Sequence, residues 1–230
     1  MNIGGFQETS LLDYPSKIAT IIWTTGCNFR CPFCYNPNLV LDNTDHVSVD
    51  DFFSFLEKRK GKLDAVSISG GEPFLQNDIK PFITRIKSLG FLVKIDTNGS
   101  FPKELKELLD ENLIDYVSMD VKNVKEKYSK ITGVSMDIDR IDESICIIKD
   151  IAPDYEFKTT VIPQFHSDQD ILDIAGWLEE SKRYFLQQFK TNTPLLSKNR
   201  SLMKSYSKDE LYRMCEMIKP FFKECAVRGI

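Results

Sequence analysis

The sequence predicts an α/β protein built on parallel strands, and three observations carry that expectation. Short apolar runs rich in β-branched residues recur six times, each followed by a helical pattern. The connections are too long for hairpins, so neighbouring strands must run parallel, joined by right-handed crossovers. Polar motifs also cluster just past the C-terminal ends of these strands. In α/β barrels and doubly wound sheets alike, that edge is where sites are built.

The first strand is 17–25, "KIATIIWTT", which runs directly into a cysteine-rich loop. A capping box in "SVDD" opens a helix from Ser48, and "DFFSFLEKRK" carries its aromatics at the spacing of a core-facing stripe. Strand 64–69 ("DAVSIS") leads to the loop "GGEP" and a helix from Asn77 to Leu89, ended by Gly90. Strand 91–96 ("FLVKID") leads to "TNGS" and a helix over 102–113. Strand 115–122 ("DYVSMDVK") leads to a longer loop and a helix over 139–150. Strand 155–163 ("YEFKTTVIP") precedes a second capping box, "SDQD" from Ser167. The sixth strand, 184–190 ("YFLQQFK"), precedes a loop and a last helix starting at "SKDE" (207–210). Near-continuous apolar strands imply that both sheet faces are covered. Six such units fit an open doubly wound sheet or a barrel left incomplete, and the unit count does not choose between them.

A chain of 230 residues suffices for one large domain or two small ones. The net charge of −4 supplies no field that would draw the protein to nucleic acid or to an anionic membrane. No stretch approaches the roughly 18 apolar residues of a membrane span, and the N-terminus lacks the pattern of a signal peptide. The expected location is the cytoplasm, where six cysteines should be free thiols or metal ligands.

Cys27, Cys31 and Cys34 stand in the loop "TTGCNFRCPFCYNPN" at a C-x3-C-x2-C spacing. Three thiolates on a [4Fe-4S] cluster leave one iron open to a small molecule, whereas a cluster used only for electron transfer is normally closed by four. Zinc with His46 as fourth ligand is the alternative, although zinc sites usually come as two short pairs. Taken alone, "GGEP" could be a plain turn. Asp96 and Asp120 could be caps or surface charges, and Lys122 a solvated lysine.

The cysteine motif with Tyr35 and Asn36 behind it, and "SGGEP" (69–73) after the second strand, resemble the signature of the radical S-adenosylmethionine (SAM) superfamily over nearly the whole chain. The resemblance implies a partial (β/α)6 TIM-like barrel of parallel strands in a single domain, 1–230. Within it, 1–16 would be an N-terminal extension, 17–190 the six-strand barrel, and 191–230 a C-terminal loop and helix. It implies one [4Fe-4S] cluster on Cys27, Cys31 and Cys34, with SAM chelating the open iron through its amine and carboxylate. Reductive cleavage of SAM would then yield a 5′-deoxyadenosyl radical that abstracts hydrogen from the substrate, the cofactors carrying the chemistry. SAM contacts are implied at Phe33, Tyr35, Gly70, Gly71 and Glu72. The glycines would let backbone approach the ligand, and Glu72 would add a charged acceptor or brace the loop.

"DTNG" (96–99) and "DVK" (120–122) resemble motifs of glycyl-radical-enzyme activases. By that resemblance Lys122 pairs with the SAM carboxylate, Asp96 and Asp120 meet the ribose or a nearby cation, and Asn98 is a further cofactor-binding residue. "SLLDYP" and "KTTVIP" resemble the activators of anaerobic ribonucleotide reductase. The implied function is abstraction of hydrogen from a glycine of that partner's large subunit, with flavodoxin or ferredoxin as reductant. The alternative is a radical SAM enzyme acting on a small metabolite, such as a pterin- or purine-derived ring, with "PQFHSDQD" contributing to its pocket. A ferredoxin-like carrier or zinc-stabilised module is a third reading, opposed by the missing fourth ligand and by "GGEP".

The remaining polar and thiol residues are expected to do less. Cys146 reads as a core thiol on an apolar helical face, and Cys215 and Cys225 read as structural. Spread from 146 to 225, these three cannot close a second four-thiolate cluster. His166, at the mouth-facing end of the fifth strand, could touch SAM or substrate, or stand in water. Gln188 and Lys190 end the sixth strand in a phase the sequence leaves open.

Overall fold

The computed structural model describes residues 1–197 and 203–230. Its strands are β1 (Ile3–Ser10), β2 (Ala19–Thr24), β3 (Ala65–Gly70), β4 (Leu92–Thr97), β5 (Tyr116–Asp120), β6 (Tyr155–Val161), β7 (Arg183–Gln188) and β8 (Glu224–Arg228). They form one sheet in sequence order. The helices are α1 (Pro37–Val40), α2 (Val49–Lys58), α3 (Ile79–Ser88), α4 (Pro102–Asp110), α5 (Tyr128–Thr132), α6 (Asp139–Ile151), α7 (Asp168–Trp177) and α8 (Lys208–Ile218).

β2 through β7 are the six expected strands, each parallel to the next, and the cysteine loop leaves the first of them. This is the partial (β/α)6 barrel. Two further strands extend it at the edges: β1 runs antiparallel to β2, and β8 parallel to β7. The sequence announces neither one. β1 ("IGGFQETS") holds two glycines and no apolar run, and β8 ("ECAVR") has five residues. The loop expected between the sixth strand and the last helix passes through 198–202, outside the described residues.

Local signals set the helix starts. Ser167 with Asp170 and Ser207 with Glu210 form complete capping boxes. At Ser48 only half the box forms, its side chain accepting from the Asp51 N–H.

The expectation of strands apolar on both faces needs correcting. Val66, Ile68, Val93, Ile95, Val117, Met119, Phe157 and Val161 pack with Phe52, Phe82, Leu105 and Ile145 of the surrounding helices in one core. Residues of the opposite phase are polar: Lys94 and Asp96 on β4, Ser118 and Asp120 on β5, Glu156, Lys158 and Thr160 on β6. The period of two is therefore present in the central strands. The inner wall is thus polar along β4, β5 and β6 toward their C-terminal ends, while Tyr14, Ala19, Ala65 and Tyr116 form a small second apolar cluster at the N-terminal end of the sheet.

Candidate functional site

The cysteine loop and the C-terminal ends of β3 through β8 enclose a cavity of about 430 Å³. That is within the ~300–1,000 Å³ of small-molecule sites. Cys27, Cys31 and Cys34 all face it. The loop that carries them is fixed by backbone hydrogen bonds. Cys34 N–H donates to the Cys31 carbonyl at 3.1 Å, and Arg30 N–H to the Thr132 carbonyl at 2.7 Å. Leu196 N–H reaches the Cys34 carbonyl and Ser197 N–H the Pro32 carbonyl, each at 3.0 Å, so the segment after β7 latches onto this loop.

Burial, with the Glu72 charge next, pushes the Cys27 thiol up to about 12. Burial pushes Cys31 up to about 11 and raises Cys34 as well. Thiolates here would need cationic compensation, which bound iron supplies. Among the described residues, no three His, Cys, Asp or Glu side chains could hold one metal ion together. In a four-iron cluster each thiolate binds its own iron, so three thiols that face one cavity can hold a cluster without meeting at a single metal ion. His46, the zinc alternative's fourth ligand, is on the surface at 2.7 Å from Asp42.

The glycine loop is shaped by contact with the cysteine loop. Gly70 has φ +112°, and a Cβ there would sit 2.5 Å from Thr24 backbone atoms. A Cβ on Gly71 would sit 1.7 Å from the Gly26 carbonyl oxygen. Both glycines line the cavity, but what they demonstrably admit is neighbouring backbone. Glu72 N–H then donates to the Gly26 carbonyl at 2.9 Å, locking the two loops together.

The Glu72 side chain does not line the cavity. Fully buried, it accepts from the Thr97 hydroxyl at 2.8 Å, the Asn98 N–H at 2.8 Å and the Phe74 N–H at 3.3 Å. Burial outweighs these bonds and pushes its carboxyl up to about 7. All three partners are donors. Glu72→Gln would turn an NH2 toward one of them and should cost about 1–3 kcal/mol, read as a lower denaturant midpoint. An unchanged midpoint would show that the brace is dispensable.

Asp96, Asp120 and Lys122, singled out from the sequence, meet at the far wall with Lys94 and Lys158. Lys158 Nζ is 2.6 Å from Asp96 and 3.8 Å from Asp120, Lys94 Nζ is 2.9 Å from Asp96, and Lys122 Nζ is 3.2 Å from Asp120. Burial opposes the charges of Asp96, Lys122 and Lys158. Even so, Lys158 and Lys94 hold the Asp96 carboxyl well below the usual carboxylate range. Asp120 and the nearby Cys31 hold the Lys122 ammonium above its ordinary value, and Asp96 and Asp120 do the same for Lys158. Asn98 donates to Asn28 Oδ1 at 2.9 Å and lies 3.9 Å from the Cys27 sulfur. Phe33 is buried on the cavity 5.9 Å from the Phe165 ring. Tyr35 stacks on Phe189 at 5.7 Å, its hydroxyl accepting from the Lys190 N–H at 2.6 Å.

Sequence reasoning missed Lys158, Thr160, Gln187, Arg228 and Gly229, which also line the cavity. Lys158 and Thr160 were readable from the alternation on β6. Arg228 was not, since β8 itself was not. Gln188 and Lys190, left open by the sequence, both face the cavity. His166 fits neither expectation. Buried, it accepts at Nδ1 from the Ile162 N–H (3.2 Å) and donates from Nε2 to the Lys122 carbonyl (2.8 Å), so it pins the end of β5. Cys146 is exposed, correcting its assignment to the core. α6 buries Ile141, Ser144, Ile145 and Ile148, and position 146 falls off that face.

Residues 21–178 match the radical SAM superfamily. A candidate glycyl-radical enzyme activating enzyme of Methanocaldococcus jannaschii is 33% identical over 99% of this chain and 96% of its own length. A pyruvate formate-lyase-activating enzyme of Listeria monocytogenes is 36% identical over 51% of this chain and 52% of its own. Among solved structures, Streptococcus suis SuiB bound to the precursor peptide SuiA aligns with a TM-score of 0.71 at 18% identity. The match covers 91% of this chain and 48% of SuiB, and the likeness is one of fold.

Proposed function

The chain belongs to the radical SAM superfamily, and from that premise we propose that it activates a glycyl-radical enzyme, an anaerobic ribonucleotide reductase, by removing hydrogen from one of its glycines. The observation that carries this reading is the meeting of three thiols with the Asp120–Lys122 pair on one cavity. The full-length relation to the M. jannaschii protein supports the choice of a protein substrate.

In this reading Cys27, Cys31 and Cys34 hold the [4Fe-4S] cluster, which with SAM supplies the one-electron chemistry when bound. Gly70 and Gly71 keep the backbone close to the methionine end, and Phe33 and Tyr35 form apolar wall. Asp96, Asn98 and Asp120 offer polar contacts. The single domain, 1–230, presents its cavity at the C-terminal ends of the strands, where an extended glycine loop of the partner can enter. Electrons come from flavodoxin or ferredoxin. Among the described residues no helix is long and apolar enough to cross a membrane, and we place the reaction in the cytoplasm.

The test is anaerobic reconstitution with iron, sulfide, dithionite and SAM, then addition of the reductase large subunit. Release of 5′-deoxyadenosine together with a glycyl-radical spectrum on the partner is the expected result. Release of 5′-deoxyadenosine with no radical on any reductase subunit would sink the substrate assignment while leaving the SAM chemistry standing.

Lys122 gives a sharper measure of the SAM site. Its ammonium sits at the cavity with Asp120 alongside, placed to take a carboxylate. A charge-assisted contact of this kind is worth about 1.5–3 kcal/mol, roughly ten- to a hundred-fold in affinity. Lys122→Ala should weaken SAM binding by that factor with iron content intact, as read by calorimetry on the reconstituted protein. An unchanged dissociation constant would remove Lys122 from the SAM site.

A further inference from the structure

Two of the three cysteines outside the cavity lie against each other. Cys215 is on the buried face of α8 with Leu211, Met214 and Ile218. Cys225 is on β8, in the phase opposite to Arg228, so it faces the helix. Their sulfur atoms are 3.4 Å apart, and both are thiols. We propose that Cys215 and Cys225 are a redox-active dithiol that closes to an intrachain disulfide between α8 and β8.

The geometry favours closure over separate fates for the two thiols. A disulfide needs its sulfurs at about 2.05 Å, and side-chain rotation can supply the remaining approach. Cys225 is half-exposed and Cys215 buried, so a soluble oxidant meets Cys225 first. The two sulfurs share a hydrogen bond that either can donate, so whichever loses its proton is stabilised as a thiolate by the thiol of the other. With a low-molecular-weight disulfide as oxidant, the Cys225 thiolate attacks one of its sulfurs and expels a thiol. Cys215 then attacks the Cys225 sulfur and expels the second thiol. Two protons and two electrons pass from the cysteine pair to the small disulfide, which leaves as two thiols.

The bridge would fasten the outer phase of β8 while the inner phase serves the cavity. Arg228 lines the cavity and holds Glu156 through two contacts at 2.8 and 2.9 Å. Oxidation at 215–225 therefore acts on the edge strand that carries Arg228 to the cavity wall, without touching Cys27, Cys31 or Cys34.

The test uses the cluster-loaded protein in anaerobic buffers of reduced and oxidised glutathione, quenched by alkylation and mapped by peptide mass. The expected result is a linked Cys215–Cys225 peptide that has lost two hydrogens, with Cys146 carrying at most a glutathione adduct. Its midpoint should not depend on protein concentration. Cys215→Ser should instead trap glutathione on Cys225. Cys225→Ser is the second variant if that one folds poorly, and should leave Cys215 alkylated. Wild-type Cys225 that stays alkylated at every ratio, or holds glutathione without passing it on, overturns the proposal.

Discussion

Serine at Cys27, Cys31 or Cys34 should abolish iron retention and SAM cleavage together, in a chain that still folds. Each thiolate is a soft ligand to its own iron, and a serine hydroxyl is a harder ligand that does not deprotonate readily near neutral pH. The fold should survive because the loop is held by backbone hydrogen bonds from Cys34, Arg30, Leu196 and Ser197, none of which involves a thiol. Serine at Cys146, Cys215 or Cys225 should leave iron content nearly unchanged, since none of these lines the cavity. Iron and sulfide analysis after anaerobic reconstitution, with 5′-deoxyadenosine as the activity readout, checks both arms. A single cavity variant that keeps full iron and turns over SAM, or a Cys215→Ser protein that loses its iron, would refute the ligand assignment.

The parts of the site legible in the sequence are those written in short, local patterns. A C-x3-C-x2-C loop, a pair of glycines and "DVK" each occupy a few consecutive positions, and the strand ahead of each fixes which edge of the sheet it reaches. Pairing across elements is harder to read. Lys158 matters because β6 lies beside β5 and brings its ammonium to Asp96 and Asp120, and no local pattern announces that meeting. The three donors around Glu72 come from residues 74, 97 and 98, two of them at the end of a different strand, and no local pattern shows that meeting either. His166 stands three residues past the end of the expected strand 155–163, like a rim ligand, yet a tight turn folds its ring back onto the chain. The edge strands were lost for another reason. β1 and β8 are stabilised by pairing with β2 and β7, and their own composition barely favours a strand.

Asp96→Ala should be the most destabilising substitution in the barrel interior, by about 3–5 kcal/mol, even with no SAM present. Lys94 and Lys158 both direct their ammonium groups at this carboxylate, and the three side chains are 7%, 14% and 12% exposed for Lys94, Lys158 and Asp96. Removing one partner from a buried ionic cluster leaves the others uncompensated, which is where a penalty of that size arises. Among the described residues Lys94 has no second carboxylate within ion-pair distance, and Lys158 keeps Asp120 at 3.8 Å. The pH dependence separates this role from simple loss of volume. The two lysines depress the folded-state value of Asp96 below the ~3.9 of an unfolded chain, so its stabilisation is complete above that pH and is lost as pH falls. The gap between wild type and Asp96→Ala should therefore be widest near neutrality and narrow on acidification. Lys94→Met in the same background should recover part of it. Urea unfolding at several pH values measures all three expectations. A gap that stays constant with pH, or an unchanged midpoint, would return Asp96 to the role of a ligand contact with no structural charge to hold.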